Sequence, residues 1–262
     1  SLLNCDLKTL YPLARSLNRK LEFYVGPTNS GKTYNAMQKL KEANSGLYLA
    51  PLRLLALEGY EDLKASNVQA SLITGEEQML NEDAAHVCST IEMIDFDLDV
   101  DVAVIDEVQM LDDADRGWAW VNAIIGCPAK KIIMTGSVNA LDAVKRIAAY
   151  LEEDLEIVKH KKKNELKVLP KWTSLDKLED GTALIAFSRS DVLRLKQKLQ
   201  KKYSVSVIYR NLSPEVRRDE ARRFRDGQTQ ILIATDAISM GLNLPIKTIL
   251  FTTDTKFDGI SK

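Results

Sequence analysis

The run Gly26-Pro27-Thr28-Asn29-Ser30-Gly31-Lys32-Thr33 fits the pattern G-x-x-x-x-G-K-[ST] at every fixed position. The chemistry open to such a run is phosphate binding. A glycine-rich turn lets successive backbone N–H groups converge on phosphate oxygens, and a helix starting at its end adds partial positive charge. Lys32 is then placed to reach the β- and γ-phosphates of a nucleoside triphosphate, and the Thr33 hydroxyl to ligate Mg²⁺. A second pair, Asp106-Glu107, ends the apolar run Val102-Ala103-Val104-Ile105. In triphosphatases with this loop the first acid holds the Mg²⁺ shell and the second polarises the attacking water. Asp106 is therefore expected at the metal and Glu107 as general base. An acid pair alone also suits a helix start; its place about seventy residues beyond the loop favours the chemical reading.

Such residues need strands to carry them. Residues 21–25 read as a strand before the loop, and residues 34–40 as a helix after it, with Ala36, Met37 and Leu40 at helical spacing. Residues 47–50, 70–73, 102–105 and 131–134 are short apolar runs, as in a parallel sheet covered on both faces. Helical patterns lie between them, so a doubly wound α/β sheet is expected, with its ligand crevice at the carboxyl ends of the strands. Near Lys159-His160-Lys161-Lys162-Lys163-Asn164 the apolar period is lost, and the expected domains are residues 1–158 and 159–262. The rhythm then restarts: strands at 182–187, 205–209, 231–234 and 248–252, helices at 192–201 and 214–225. Ser213 is a good N-cap, with Pro214 in the first turn behind it. This second part has no Gly-Lys-Thr loop.

At 262 residues, 45% hydrophobic and 28% charged, the chain suits two soluble domains. No apolar run is long enough to span a bilayer, so no membrane partner is expected. The N-terminus lacks the basic-then-apolar order of a secretory signal. Cys5, Cys88 and Cys127 are scattered and odd in number, which suits reduced thiols in a cytosol-like compartment. The net charge of −1 hides an asymmetry: residues 1–150 carry 14 Lys+Arg against 21 Asp+Glu, whereas residues 151–262 carry 22 against 16. A polyanion would feel the second part most strongly.

With these residues placed, the chain resembles the superfamily-two DExH/D-box helicases, and among them the Suv-type RNA helicases, motors of the mitochondrial RNA degradosome and their bacterial relatives. Tyr11-Pro12 to Lys20 followed by the phosphate loop is similar to that family's opening segment. Ala50-Pro51-Leu52-Arg53 looks like its motif Ia, Thr74-Gly75-Glu76-Glu77 like motif Ib, and Thr135-Gly136-Ser137 stands where motif III belongs. Asp106-Glu107-Val108-Gln109 matches the family's variant box, with Gln in fourth place. Phe187-Ser188-Arg189 resembles motif IV, Ala234 to Leu244 motif V, and Lys256-Phe257-Asp258-Gly259 the segment beyond it.

The resemblance implies two tandem RecA-like domains, each a mostly parallel sheet flanked by helices. It implies an ATP-dependent RNA helicase of RNA turnover, using ATP and Mg²⁺, moving 3′ to 5′ from a single-stranded 3′ overhang, with an exoribonuclease as a further partner. Gln109, Asp236 and Gly241 would join residues 26–33 at the nucleotide. Pro51, Arg53, Thr74, Gly75, Ser188, Arg189 and Thr235 would contact nucleic acid, and Gln109, Thr135 and Ser137 would couple the two. The family's motif VI arginines fall beyond Lys262, so the chain as written is expected to bind ATP and hydrolyse it poorly. The bacterial cytoplasm is the expected location, with the mitochondrial matrix as the alternative.

Plainer readings stand beside these. Arg53 also suits a helix start, Thr74-Gly75 a turn, Ser188-Arg189 a loop cap, and Asp236 a helix cap. The cluster Arg217, Arg218, Arg222, Arg223 and Arg225 is solvated by default. Trp118 and Trp120 read as core or a domain-interface pair, and His86 and His160 have no metal or catalytic spacing. A thymidine-type kinase, a DNA helicase and a nucleotide-gated RNA-binding module remain as alternative functions.

Overall fold

The apolar runs of the first part form one sheet with both faces covered. The computed structural model describes residues 6–28, 30–161, 167–170, 174–235 and 244–252. The chain divides into two units, Ser1–Lys161 and Lys162–Lys262. The first contains α1 (Pro12–Ser16), β1 (Lys20–Val25), α2 (Lys32–Glu42), β2 (Gly46–Ala50), α3 (Arg53–Ala65), β3 (Ala70–Ile73), β4 (Gln78–Met79), β5 (His86–Thr90), β6 (Val100–Ile105), α4 (Gly117–Gly126), β7 (Ala129–Gly136), α5 (Leu141–Leu151) and β8 (Leu155–Lys159). Its sheet runs β4-β3-β5-β2-β6-β7-β1-β8 and is parallel except for the β3–β4 pair.

Alternation along each strand sorts side chains to the two faces. Leu21, Phe23 and Val25 pack with Ile105, Ile132 and the α4 residues Trp120 and Ile124. Tyr24, Val104 and Ile133 face the other way, onto Leu40 of α2 and Leu63 of α3. Each large side chain buried in this way stabilises the fold by about 1.5–3 kcal/mol. A buried cation ties the start of β1 to the end of α4. Arg19, 3% exposed, donates to the carbonyls of Ile124 at 2.8 Å and Cys127 at 2.9 Å, and its Nε donates to Glu153 at 2.9 Å. The guanidinium thereby caps helix carbonyls that lack intrahelical partners, and the carboxylate offsets its desolvation.

Register decides what meets at the carboxyl ends. Val25 lies beside Gly136, and Ile105 beside Met134. The loops after β1, β6 and β7 therefore open at one edge of the sheet, which is where an open parallel sheet presents ligands.

The second unit contains β9 (Lys167–Val168), β10 (Thr182–Ile185), α6 (Arg189–Leu199), β11 (Val205–Ile208), α7 (Pro214–Arg225), β12 (Ile231–Ala234) and β13 (Thr248–Phe251). Its sheet, β11-β12-β10-β13-β9, is parallel throughout. Val192, Leu195 and Leu199 of α6 cover one face, and Phe224 of α7 covers the other. Both units are thus mostly parallel sheets flanked by helices. The helix α6 starts a turn earlier than its apolar spacing suggests, because the Ser188 side chain accepts a hydrogen bond from the Asp191 N–H at 3.2 Å and caps it. No described helix is long and apolar enough to cross a membrane.

Candidate functional site

The loop after β1 is shaped by two glycines. Gly31 holds φ +80° at the N-cap of α2, a left-handed conformation that glycine takes without strain. A Cβ on Gly26 would lie 2.5 Å from the His160 carbonyl oxygen and 2.9 Å from Ser30 Oγ. The loop is therefore pressed against the chain leaving β8. Lys32 is 8% exposed, and its Nζ donates to the carbonyls of Gly26 at 2.7 Å and Pro27 at 3.3 Å. Pro27 and Thr28 are exposed on the turn. Ser30 Oγ is buried without a hydrogen-bond partner among the described residues. Asn29 lies outside the described residues.

Asp106 is the centre of the site. It is 3% exposed. Its Oδ1 accepts hydrogen bonds from Thr33 Oγ1 at 3.2 Å and from Thr135 Oγ1, and its Oδ2 accepts one from Tyr48 Oη at 2.7 Å. Its main-chain carbonyl accepts from Trp120 Nε1 at 2.9 Å. Neighbouring Glu107 turns into the left-handed region at φ +57°, which directs the chain away from β6, and its N–H donates to Thr135 Oγ1 at 3.2 Å. The Gln109 amide donates to the Glu107 carboxylate, while Gln109 Oε1 accepts from the Ser137 N–H at 3.3 Å. A Cβ on Gly136 would lie 2.8 Å from that Gln109 oxygen. Gln109 thus joins the acid turn to the turn after β7.

Electrostatics separates the two acids' surroundings. Burial raises the Glu107 carboxyl above the usual range and Asp106 raises it further, while the Gln109 amide and the Lys32 ammonium act against the shift. Burial and Asp106 push the Tyr48 phenol well up, so it stays a donor. Among the described residues there is no group of three or more His, Cys, Asp or Glu that could hold a metal ion. The donor set that is present, one hydroxyl and one carboxylate, suits Mg²⁺, which takes few protein oxygens and fills its shell with water and substrate phosphate. With a buried lysine, a partnerless Ser30 hydroxyl and a loop tight at Gly26, these residues fit a magnesium triphosphate.

The residues assigned to nucleic acid are held differently. Pro51 is buried, and its carbonyl accepts from Arg116 at 2.7 Å. Arg53 starts α3 and pairs with Glu76, both exposed. Thr74 is buried and closes its own turn, its Oγ1 accepting from the N–H of Glu77 at 3.0 Å. Gly75 has open space where a Cβ would stand. Ser188 caps α6, Arg189 lies over the Tyr209 ring at 5.1 Å, and Thr235 Oγ1 is buried with no partner among the described residues. Asp236 and Gly241 lie outside the described residues, as does the Lys256–Gly259 segment.

Tyr48, Trp120 and His160 join the site unannounced by any motif. Tyr48 was visible only as the one hydroxyl in an apolar strand. Trp120 is fully buried as expected, but its partner Trp118 is 58% exposed and is not core. His160, set aside for want of a partner spacing, bonds through Nε2 with Asn35 of α2 at 2.9 Å and tilts against Tyr24 at 5.1 Å. His86 is buried and bonds to the Leu40 carbonyl at 2.9 Å.

The model of the DEXQ-box helicase domain of Suv3 matches residues 8–160, and that of the helicase conserved C-terminal domain matches residues 161–261. The mitochondrial ATP-dependent RNA helicase SUV3 of Saccharomyces paradoxus is 41% identical over 255 residues, covering 94% of this chain and 35% of the relative. The mitochondrial ATP-dependent RNA helicase SUPV3L1 of Gallus gallus is 41% identical over 254 residues, covering 94% of this chain and 32% of the relative. The chain thus spans about a third of the length of these curated relatives. A solved DEAD box protein from the hyperthermophile Methanococcus jannaschii aligns with a TM-score of 0.54 at 17% identity, over 94% of this chain and 85% of that one, a likeness of fold. The relatives are named mitochondrial, which overturns the expected bacterial cytoplasm. Scattered thiols suit more than one compartment and so do not decide between the two. A family model that covers the phosphate loop, the Asp106-Glu107 pair and Gln109 together leaves one placement: the chain belongs to the Suv3 family of DEXQ-box helicases.

Proposed function

We propose that this chain is the ATP-dependent motor portion of an RNA helicase. The observation that carries the reading is the Asp106 carboxylate, buried and held at once by Thr33 from the phosphate loop, Tyr48 from β2 and Thr135 from β7. Backbone N–H groups of residues 26–31 cradle the triphosphate, and Lys32 leaves the loop carbonyls for the β- and γ-phosphates. Thr33 and Asp106 hold Mg²⁺, which when bound neutralises charge developing on the phosphate oxygens. Glu107 takes the proton of the attacking water. Gln109 reports the state of that acid to Ser137. Asp236 and Gly241 are assigned to the nucleotide by motif alone.

Pro51, Arg53, Thr74, Gly75, Ser188, Arg189 and Thr235 contact the sugar–phosphate backbone of single-stranded RNA. Main-chain groups, hydroxyls and arginines grip phosphates without reading bases, so binding tolerates sequence and weakens with salt. The names of the relatives support RNA as the substrate and the mitochondrion as the place of action, and we place the chain in its matrix. A 3′ overhang, 3′-to-5′ movement, an exoribonuclease partner and a role in RNA turnover rest on the family resemblance. A thymidine-type kinase is disfavoured by the second α/β unit and by the helicase model that matches it.

The test is ATP turnover by the full-length protein with RNA, with single-stranded DNA, or with neither. RNA is expected to stimulate turnover most, and Lys32→Ala to abolish it. Equal stimulation by DNA would replace RNA with nucleic acid in general, and unchanged turnover in Lys32→Ala would remove the triphosphate site from this loop.

A further inference from the structure

Arg116 ties together three strand ends of the first unit. Its Nε donates to Glu92 Oε1 at 2.7 Å, in the turn after β5, and its Nη2 donates to the Pro51 carbonyl at 2.7 Å, directly after β2. Its guanidinium carbon lies 5.1 Å from the centre of the Trp120 ring. That indole donates in turn to the Asp106 carbonyl at 2.9 Å, directly after β6. The backbone on either side is pinned as well. The Arg116 N–H donates to Asp113 Oδ2 at 2.8 Å. A Cβ on Gly117 would lie 2.3 Å from the Leu111 carbonyl oxygen, so α4 begins in close contact with the turn Val108–Asp112 that carries Gln109.

We propose that Arg116 is a positioning residue that couples nucleic-acid engagement at Pro51 to the acids Asp106 and Glu107. The inference rests on the reading of Pro51 as a nucleic-acid contact and of the acid pair as the triphosphate site. Trp120 is fully buried in close-packed core, so displacement of its ring is passed on to what it touches. The planar guanidinium donates to Pro51 and to Glu92 while its carbon lies over the indole ring. A strand drawn onto the β2 end shifts the Pro51 carbonyl, and this bonded unit carries the shift to the backbone of Asp106. A lysine ammonium has no such plane and cannot serve both oxygens and the ring together. Among the described residues no hydrogen bond or ion pair joins Arg116 to the loop of residues 26–33 or to either acid's carboxylate, so its effect falls on coupling rather than on chemistry.

The experiment compares full-length wild type with Arg116→Lys, Arg116→Ala and Glu92→Gln. ATP turnover is followed without RNA and across a titration with a single-stranded oligoribonucleotide, at two salt concentrations. The ratio of RNA-saturated to RNA-free turnover is expected to fall by about tenfold in both Arg116 variants and by a smaller factor in Glu92→Gln. The RNA concentration at half-stimulation is expected to stay within about twofold of wild type, as for a residue that does not grip phosphate. Three results overturn the proposal: both rates falling together with the ratio intact, the salt dependence of half-stimulation weakening, or lysine restoring the ratio. Should Arg116→Ala fail to fold, Glu92→Gln decides by the same ratio, and an unchanged ratio there counts against the relay. Wild type that hydrolyses ATP with no response to RNA would instead reject the helicase reading itself, and the relay with it.

Discussion

Asp106 and Arg53 stand at the carboxyl ends of adjacent strands, β6 and β2, and are held in opposite ways. Asp106 is buried and its carboxylate accepts from three hydroxyls on three elements. Arg53 is exposed, with Glu76 as its ion-pair partner on an exposed turn. A group that must meet charge developing in a reaction gains by being fixed beforehand, since nothing then has to reorganise. A group that grips and releases a sliding strand gains by being exchangeable, because an exposed ion pair costs little to open. On the proposed roles, the contrast separates a chemical edge from a gripping edge within one sheet.

The largest expected effect lies at the chemical edge. Glu107→Gln should lower RNA-saturated ATP turnover by about 10²–10⁴-fold, the usual contribution of a positioned general base. Nucleotide affinity should hold, and turnover within a few-fold of wild type would move the base elsewhere. Because burial and Asp106 raise the Glu107 carboxyl, the acid limb of turnover should lie above the ordinary glutamate range of about 4.3. Gln109→Leu removes the amide that favours the carboxylate and should move that limb to still higher pH in a pH–rate profile. The sign for stability follows from the same shift. The folded state holds this proton more tightly than the unfolded chain, so the contribution of Glu107 is full below the unfolded pKa and is lost as pH rises through the folded one.

A smaller effect is expected from the partners of Asp106. Tyr48→Phe removes one donor to a buried carboxylate and should cost about 1.5–3 kcal/mol of stability, the range for hydrogen bonds to charged groups. Denaturant unfolding of the first unit's transition measures it. A loss within about 0.5 kcal/mol, typical of surface positions, would mean that Asp106 is less fixed than its contacts indicate.

How much of this was legible in the sequence follows the same division. The phosphate loop was readable because its chemistry is local: glycine at the left-handed position, lysine and threonine at the helix start. The strands 21–25, 47–50, 102–105 and 131–134 were readable because they are buried on both faces. The partners of Asp106 were not. Tyr48 reaches it only through the pairing of β2 with β6, which sets Tyr48 beside Val104, and no spacing along the chain encodes that register. His160 sat in a basic run that read as linker, yet β8 pairs with β1 and brings it to Gly26 and Asn35. Arg116 carries no motif, and its contacts with Glu92, Pro51 and Trp120 come from three separate elements. Arg53 reads as a helix start in its plainer reading, and it does start α3, where it pairs with Glu76.

The gripping edge yields the smallest effects and the sharpest sign test. Arg53→Ala should change stability by no more than about 0.5 kcal/mol, since exposed pairs contribute little. It should weaken binding of single-stranded RNA and reduce the salt slope by about 0.7, the value for one lost phosphate contact on a single strand. Glu76→Gln should act in the reverse sense. On the proposed contact, the carboxylate that pairs with Arg53 would compete with phosphate for the same guanidinium, and removing its charge would free the cation and lessen local repulsion of the strand. RNA affinity should therefore rise in Glu76→Gln and fall in Arg53→Ala, with the double variant resembling Arg53→Ala alone. Fluorescence anisotropy of a labelled oligoribonucleotide over a salt series reads all of these. Parallel changes in the two single variants would mean that the pair acts as a structural clasp, and the gripping edge would then have to be sought elsewhere on the sheet.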